Sequence, residues 1–435
     1  MSHDHAYWLP FTANRAFWQS PRIVKAARGH YYTTADDRRL LDGFSGLWTS
    51  GLGHCHPRIV AAVQEQVATL DYGMSFQVTN DKAIALADEL AALAPAGLDR
   101  VFFTNSGSES VETALKIALA YHRARGESQR TRLIGRERGY HGVNFGGMSV
   151  GGIGSNRKAF GGASVPGVDH IRHTHSLTDM AFSRGQPAWG LELADDLERL
   201  ATLHDGGNIA ALIVEPVAGS TGILVPPVGY LQRLRDICDR HGILLIFDEV
   251  ITAFGRVGAS FAAERFGVTP DIVTTAKGLT NGVVPMGAAI VREEIYQALM
   301  QGPAHAVEFF HGYTYSGHPL AAAAGLATLQ VYREEDSFAR ARALEPVFEE
   351  AIHALRGEPN VIDIRNFGLM GGVELAARGG APGLRGFEVF LKCFEAGVVI
   401  RNGGDILQFA PFLDSTADEI GRIFDTVRQA IRSTA

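Results

Sequence analysis

The chain has 435 residues, 46% of them hydrophobic and 20% charged, and a net charge of −7 at pH 7. That is a folded globular profile, too long for one compact core, so two lobes are expected. The charge is dispersed without a basic block and no apolar run is long enough to cross a bilayer, so neither nucleic acid nor a membrane is an expected partner.

The N-terminal stretch "MSHDHAYWLPFTANRAF" lacks a basic start followed by an apolar run, and a cytoplasmic protein is expected. "PRIVAAVQEQVATL", residues 57–70, carries apolar residues at helical spacing behind a proline suited to a first turn, and 82–93 reads as a second helix. From about residue 100, strands and helices alternate. "RVFFTN" is a strand, "SGSESVETALKIALAYHRA" a helix, and "TRLIGRERGYHG" a strand running into a loop. "IAALIVEP" is a strand, "GYLQRLRDICDRHG" a helix closed by Gly242, and "ILLIFDEV" and "DIVTTAK" are strands. Short apolar runs separated by helices predict a mainly parallel sheet with helices on both faces.

Between 142 and 190 the alternation breaks. Gly142, Gly146, Gly147, Gly151, Gly152, Gly154, Gly161, Gly162 and Gly167 fall there, but Phe145, Met148, Ile153, Phe160, Val165 and Ile171 make the stretch too apolar for a tether. A long irregular loop packed over a functional site is expected. After 318 the texture is α+β, with helices around the alternating "VIDIRNFGLMGGVEL". The expected organisation is an N-terminal segment, 1–60, packing with a small C-terminal domain, 318–435, and a large domain, 61–317. Cys55, Cys238 and Cys393 lie far apart and never as C-x-x-C, which fits a reducing compartment.

Three strand ends and one loop carry chemistry. In "FFTNSGSESVETA", Ser106 and Glu109 have capping-box spacing, and Gly107 and Ser108 offer N–H groups at a helix N-terminus, a ready site for phosphate. The loop matches neither a Walker motif nor G-x-G-x-x-G, so nucleotide binding has no support. "ILLIFDEVITAFGR" delivers Asp248 and Glu249 behind an apolar strand, and Glu215 ends "IAALIVEP" in the same way. A buried carboxylate there needs a cationic partner. Lys277 ends "DIVTTAK" among small neighbours that leave room for a cofactor and substrate. A phosphate loop, an aspartate and a lysine on one sheet suggest pyridoxal 5'-phosphate, which needs a phosphate anchor, an anion at its pyridinium nitrogen and a lysine for its Schiff base. His54-Cys55-His56 and His173-x-His175 lack matching ligands in recognised spacing, so no metal site is expected.

The combination "NSGSE", "GYHG", "IFDEVITAFGR", "AKGLTNG" and "HGYTYSGHP" resembles the class III aminotransferases. "LLDGFSGLWTSGLGHCHPRIVAAVQEQ", "YHGVNFGGMSVGGIGSNRKAFG" and "VVIRNGGDILQFAPF" narrow it to the ω-amino acid:pyruvate type, β-alanine enzymes among them. The resemblance runs from about residue 10 to the C-terminus. It implies the α/β fold type I of PLP-dependent transferases: a large domain with a mostly parallel sheet, plus a smaller α+β domain. It implies Lys277 as the Schiff-base lysine, Asp248 at the pyridine nitrogen, and Val250 and Tyr140 on the two ring faces. Gly107 and Ser108 would hold the phosphate, with Thr314 reaching it from a neighbouring subunit, and Glu215 would lie near the cofactor. Trp48 and Phe11 would line the substrate pocket, and Arg401 would bind a substrate carboxylate. A homodimer, or a tetramer built from it, follows. The implied reaction moves an amino group from β-alanine, another ω-amino acid or an amine to pyruvate, giving malonate semialdehyde or another carbonyl compound and L-alanine. A 2-oxoglutarate-dependent aminotransferase, an aminomutase or a decarboxylase of the same class is the alternative.

Overall fold

The computed structural model describes residues 5–434. Its centre is a seven-stranded sheet in the order Leu98–Thr104, Gly287–Arg292, Ile272–Thr275, Leu244–Asp248, Ile209–Val214, Arg132–Arg136, Val168–Ile171. Gly287–Arg292 runs antiparallel to both neighbours, and every other pairing is parallel. The three strands Ile209–Val214, Leu244–Asp248 and Ile272–Thr275 are buried at every residue. They read as unbroken apolar runs because helices cover both faces. The period of two decides which helix each residue meets. Leu245 and Phe247 join the cluster that holds Leu234 and Ile237 of helix Tyr230–His241. Leu244 and Ile246 join the cluster that holds Leu115 and Ile117 of helix Gly107–Ala124. Helix Tyr230–His241 ends, as expected, on Gly242 in the left-handed region, φ +64°.

Two features depart from the expectation. The antiparallel strand Gly287–Arg292 was not foreseen; its core, Gly287-Ala288-Ala289, is too small to give a strand signature. Nor is 142–190 one irregular loop. It holds the helices Phe145–Val150 and Gly154–Phe160, and Val168–Ile171 adds the sheet's last strand. Only Ile171 of that strand is buried, so it carries the half-polar pattern of an edge rather than the apolar run of a central strand.

The C-terminal part builds an antiparallel sheet, Val361–Phe367, Met370–Leu375, Ile406–Phe409 and Arg401–Gly403, flanked by helices Ser337–His353, Leu384–Glu395 and Ala417–Ser433. The strands Val24–Arg28, Tyr31–Thr34 and Arg39–Asp42 form a further sheet that Val398–Val399 completes in parallel. Helix Pro319–Glu334 packs on Pro57–Thr69, Asp81–Leu93 and the turn Lys277–Thr280, so the first element after residue 318 lies against the helices and turn that precede it in the chain. Among the described residues no helix is long and apolar enough to cross a membrane.

Gly135 sits where strand Arg132–Arg136 meets the end of helix Phe145–Val150. A Cβ there would lie 1.8 Å from the Val150 carbonyl oxygen. Backbone cannot yield as a side chain can, so Gly135→Ala is expected to cost about 1–3 kcal/mol or more. A lowered urea midpoint at unchanged slope would report this, and an unchanged midpoint would contradict the close approach.

Candidate active site

The carboxyl ends of the parallel strands open onto one cavity of about 320 Å³. Such ends face the ligand crevice in open α/β sheets. Its wall includes Gly107, Ser108, Tyr140, Glu215, Asp248, Val250 and Lys277, drawn from five separate segments of the chain.

Lys277 follows strand Ile272–Thr275 and opens the short turn Lys277–Thr280 with φ +47°. A non-glycine residue in the left-handed region is strained, and the strain is held by what surrounds it. Burial lowers the Lys277 pKa to about 8 from 10.5; Asp248 and Glu215 oppose that shift and Arg401 reinforces it. Ala276 lines the cavity beside it. Gly278 does not provide clearance there: its missing Cβ faces the Phe254 side chain at 3.1 Å, so Gly278 is small for packing. Tyr332 fixes the turn from behind, its hydroxyl donating to the Gly278 carbonyl at 2.9 Å.

Asp248 is buried, 5% exposed, and both oxygens are engaged. Oδ2 lies 2.8 Å from His141 Nδ1, and Oδ1 accepts from Thr274 Oγ1 at 3.1 Å and the Val250 N–H at 3.2 Å. One face of the carboxylate is thereby fixed by protein. Asp248 and Lys277 share the cavity without forming an ion pair among the described residues. Glu215 accepts from the N–H groups of Tyr140 and Gly219, each at 2.9 Å, and burial raises its pKa. It thus sets the backbone that presents Tyr140. Glu249 turns away: it accepts from the N–H groups of Ala262 and Ala263 and from Thr252, and burial pushes it up to about 7.

Helix Gly107–Ala124 points its N-terminus at the same cavity. Ser106 caps it by accepting from Glu109 N–H at 3.2 Å, and Glu109 reaches back to the Asn105 N–H at 2.7 Å. Helix geometry leaves the N–H groups of Gly107 and Ser108 without intrahelical acceptors. A Cβ on Gly107 would meet Val250 at 2.8 Å, so glycine lets Val250 pack directly over the helix end. At Gly142, φ is +94° and a Cβ would lie 2.5 Å from Ser108 Oγ. This donor set suits a phosphorylated pyridine aldehyde. Helix N–H groups and Ser108 could hold a phosphate, Asp248 could meet a ring nitrogen and Val250 a ring face, and Lys277 offers an amine that burial keeps partly neutral.

The other expected residues lie outside this wall. Arg401 is half-buried on strand Arg401–Gly403, close enough for its charge to act on Tyr140 and Lys277. Burial lowers its pKa, and it has no ion pair or hydrogen bond among the described residues. Trp48 does not line the cavity: it is 3% exposed, in the buried cluster that contains the lining residue Ile251. The segment around it is strained, with φ +45° at Ser45 and +64° at Trp48. Arg256 pins it, donating to Ser45 Oγ and to the carbonyls of Leu369 and Pro411, with its guanidinium 5.9 Å from the Trp48 ring. Phe11 is 79% exposed and away from the wall. Thr314 is exposed and outside its own chain's cavity, its carbonyl accepting from the hydroxyls of Tyr72 at 2.9 Å and Ser75 at 2.8 Å. His54 bonds to Asp42 at 2.8 Å. His175 converges with Asp363 and Glu374, but the Arg365 guanidinium pairs with both of those carboxylates.

Residues 13–431 match the family model described as aminotransferase class-III. The chain belongs to the class III aminotransferases. It is 58% identical to the omega-aminotransferase of Caulobacter vibrioides, over 98% of this chain and 97% of that one. It is 52% identical to the beta-alanine--pyruvate aminotransferase of Pseudomonas aeruginosa, over 99% of this chain and 96% of that one. Among solved structures, an amine transaminase from an uncultivated Pseudomonas species in the PLP-bound form superposes with a TM-score of 0.92 at 34% identity, covering 99% of each chain. The mostly parallel sheet and separate α+β part are those expected of fold type I.

His141, Thr274 and Arg256 are functional neighbours that no local pattern singles out, though "GYHG", "DIVTTAK" and "IFDEVITAFGR" contain them. Their roles depend on which strands are neighbours, which spacing does not reveal. The Lys277 shift makes a pH prediction. A lysine depressed to about 8 from 10.5 is charged in the unfolded chain and neutral in the folded one between those values. Cofactor-free protein should therefore gain stability as pH rises through that window. The rate at which trinitrobenzenesulfonate modifies Lys277 should reach half its high-pH value near pH 8, read by timed peptide mapping; a midpoint near 10.5 would contradict the buried amine.

Proposed function

We propose that this chain transfers an amino group from an ω-amino acid such as β-alanine, or from an amine, to pyruvate, with pyridoxal 5'-phosphate as cofactor and L-alanine as product. The observation that carries the reading is the meeting of Lys277, Asp248 and the Gly107–Ser108 helix end in one cavity, with the unpaired cation of Arg401 near it. When bound, the cofactor supplies an electron sink for the carbon that loses its proton. The protein's own groups do the rest. Lys277 Nζ would anchor the cofactor and, as a free amine, would take the proton from the amine-bearing carbon, a task for which a pKa of about 8 suits it. Asp248, held by His141 and Thr274, keeps a proton on the ring nitrogen. Val250 and Tyr140 hold the ring faces, and Glu215 holds Tyr140 in place through its backbone. Gly107 and Ser108 hold the phosphate.

Arg401 pairs with the carboxylate of pyruvate, because a planar guanidinium binds a carboxylate through two parallel hydrogen bonds. Trp48 acts on the pocket through the cluster it shares with Ile251, and Phe11 closes the pocket only if the N-terminal segment folds over it. The active unit in this reading is a homodimer, in which Thr314 of each subunit reaches the neighbouring cavity. Exposed Phe76, Val307, Phe310 and Tyr315, the last beside Thr314, support a covered face there. The three-part division at about residues 60 and 317 is retained, with helix Pro319–Glu334 as the link lying on the large unit. A cytoplasmic location completes the proposal.

Purified protein with β-alanine and pyruvate should form alanine; failure with pyruvate but turnover with 2-oxoglutarate would reassign the acceptor. Lys277→Ala should fold yet lose nearly all turnover. Arg401→Ala should slow the pyruvate half-reaction about 100-fold while changing that with an uncharged arylalkyl amine only about twofold. Equal losses in both half-reactions would refute the role given to Arg401.

A further inference from the structure

Strand Ile406–Phe409 reads Ile-Leu-Gln-Phe, an apolar strand with one amide in it. Gln408 is fully buried, which is costly unless both ends of the amide are matched. Its Nε2 donates to the Ser220 carbonyl at 3.1 Å. That bond fixes the amide's orientation, since a carbonyl only accepts. The other end, Oε1, is buried with no hydrogen-bond partner among the described residues.

The strand register sets Arg401 directly opposite Gln408. Facing residues project from the same side of a sheet with Cβ atoms roughly 5 Å apart, well within the reach of an arginine. Arg401 has the complementary deficit, a half-buried guanidinium without an acceptor among the described residues. The amide cannot turn to find another donor. A Cβ on Gly403 would lie 3.1 Å from Gln408 Nε2, so the hairpin closes tightly over it. The Ser220 loop beneath is tied down at its next two carbonyls, Thr221 by Arg138 at 2.9 Å and Gly222 by Arg365 at 2.7 Å.

We propose that Gln408 Oε1 is the parking acceptor for Arg401: the guanidinium hydrogen-bonds to it while a substrate without a carboxylate at that end fills the cavity, and leaves it for the carboxylate of the keto acid. This rests on the reading of Arg401 as the carboxylate-binding residue. A neutral carbonyl suits the task because its bond to a cation is weaker than a carboxylate's, which adds full opposite charge. Arg401 is therefore held when nothing better is present and released when an anion arrives. Gln408 touches neither substrate nor cofactor; it is a positioning residue that balances donor against acceptor.

The test uses holoenzyme and propionate, a carboxylate that cannot react. Gln408→Glu places a competing anion at the parking point, and should weaken propionate binding by calorimetry about 10-fold or more and raise the KM for pyruvate by a similar factor. The half-reaction with an uncharged amine should stay within about twofold. Propionate binding as tight as in the unaltered protein would overturn the proposal. If Gln408→Glu does not fold, Gln408→Met removes the acceptor instead; it should bind propionate at least as tightly while slowing the amine half-reaction, and an unchanged amine half-reaction would overturn the proposal. Arg401→Ala in parallel separates the two ideas. Loss of propionate binding there, without loss in Gln408→Glu, ends the parking role alone, whereas unchanged binding in Arg401→Ala ends the reading on which it rests.

Discussion

An amine placed at the end of a fully buried strand is the constraint from which the rest follows. Charging Lys277 in that setting is expensive, and its pKa falls to about 8. Asp248 and Glu215 supply enough negative field to limit the fall, and Arg401 works against them. Each carboxylate has in turn to be held. Asp248 is fixed by His141, Thr274 and the Val250 N–H, and Glu215 by the N–H groups of Tyr140 and Gly219. The amine therefore sits beside two carboxylates that cannot relax toward it, the arrangement that lets a buried group act on a proton with little reorganisation.

The fold delivers these groups by convergence. Parallel strands carry Glu215, Asp248 and Lys277 to one edge, and helix Gly107–Ala124 brings a positive end to the same edge. The antiparallel hairpin of the C-terminal sheet adds Arg401 from a sheet other than the central one. Arg256 ties these regions together. Its cation is buried without a carboxylate partner among the described residues, and carbonyls of the C-terminal part and Ser45 take its hydrogens. Burial lowers its pKa to about 10, with Tyr332 and Asp42 opposing the fall.

Much of this was legible in the sequence because it depends on local rules. Apolar runs that end in one polar residue announced Glu215, Asp248 and Lys277, and the Ser106–Glu109 spacing announced the helix end. What stayed hidden depends on neighbours distant in the chain. Thr274 looks like one more strand residue until strand Ile272–Thr275 is known to lie beside Leu244–Asp248. His141 meets Asp248 from 107 residues away. The strand Val168–Ile171 is half polar because it lies at an edge, and Gly278 is small because of Phe254 rather than a ligand. The family resemblance implies a pocket role for Trp48, and its strained turn buries it beside Arg256. Gln408 could be noticed as a polar break in "ILQF", but only the register with Arg401 gives it meaning.

The central claim is that the Lys277 amine is where the cofactor is held. Borohydride reduction of the purified holoenzyme, followed by peptide mass mapping, tests it directly. The account predicts a single pyridoxyl adduct, on the peptide containing Thr275-Ala276-Lys277-Gly278. An adduct on another lysine, or a yellow protein that yields none, would contradict it.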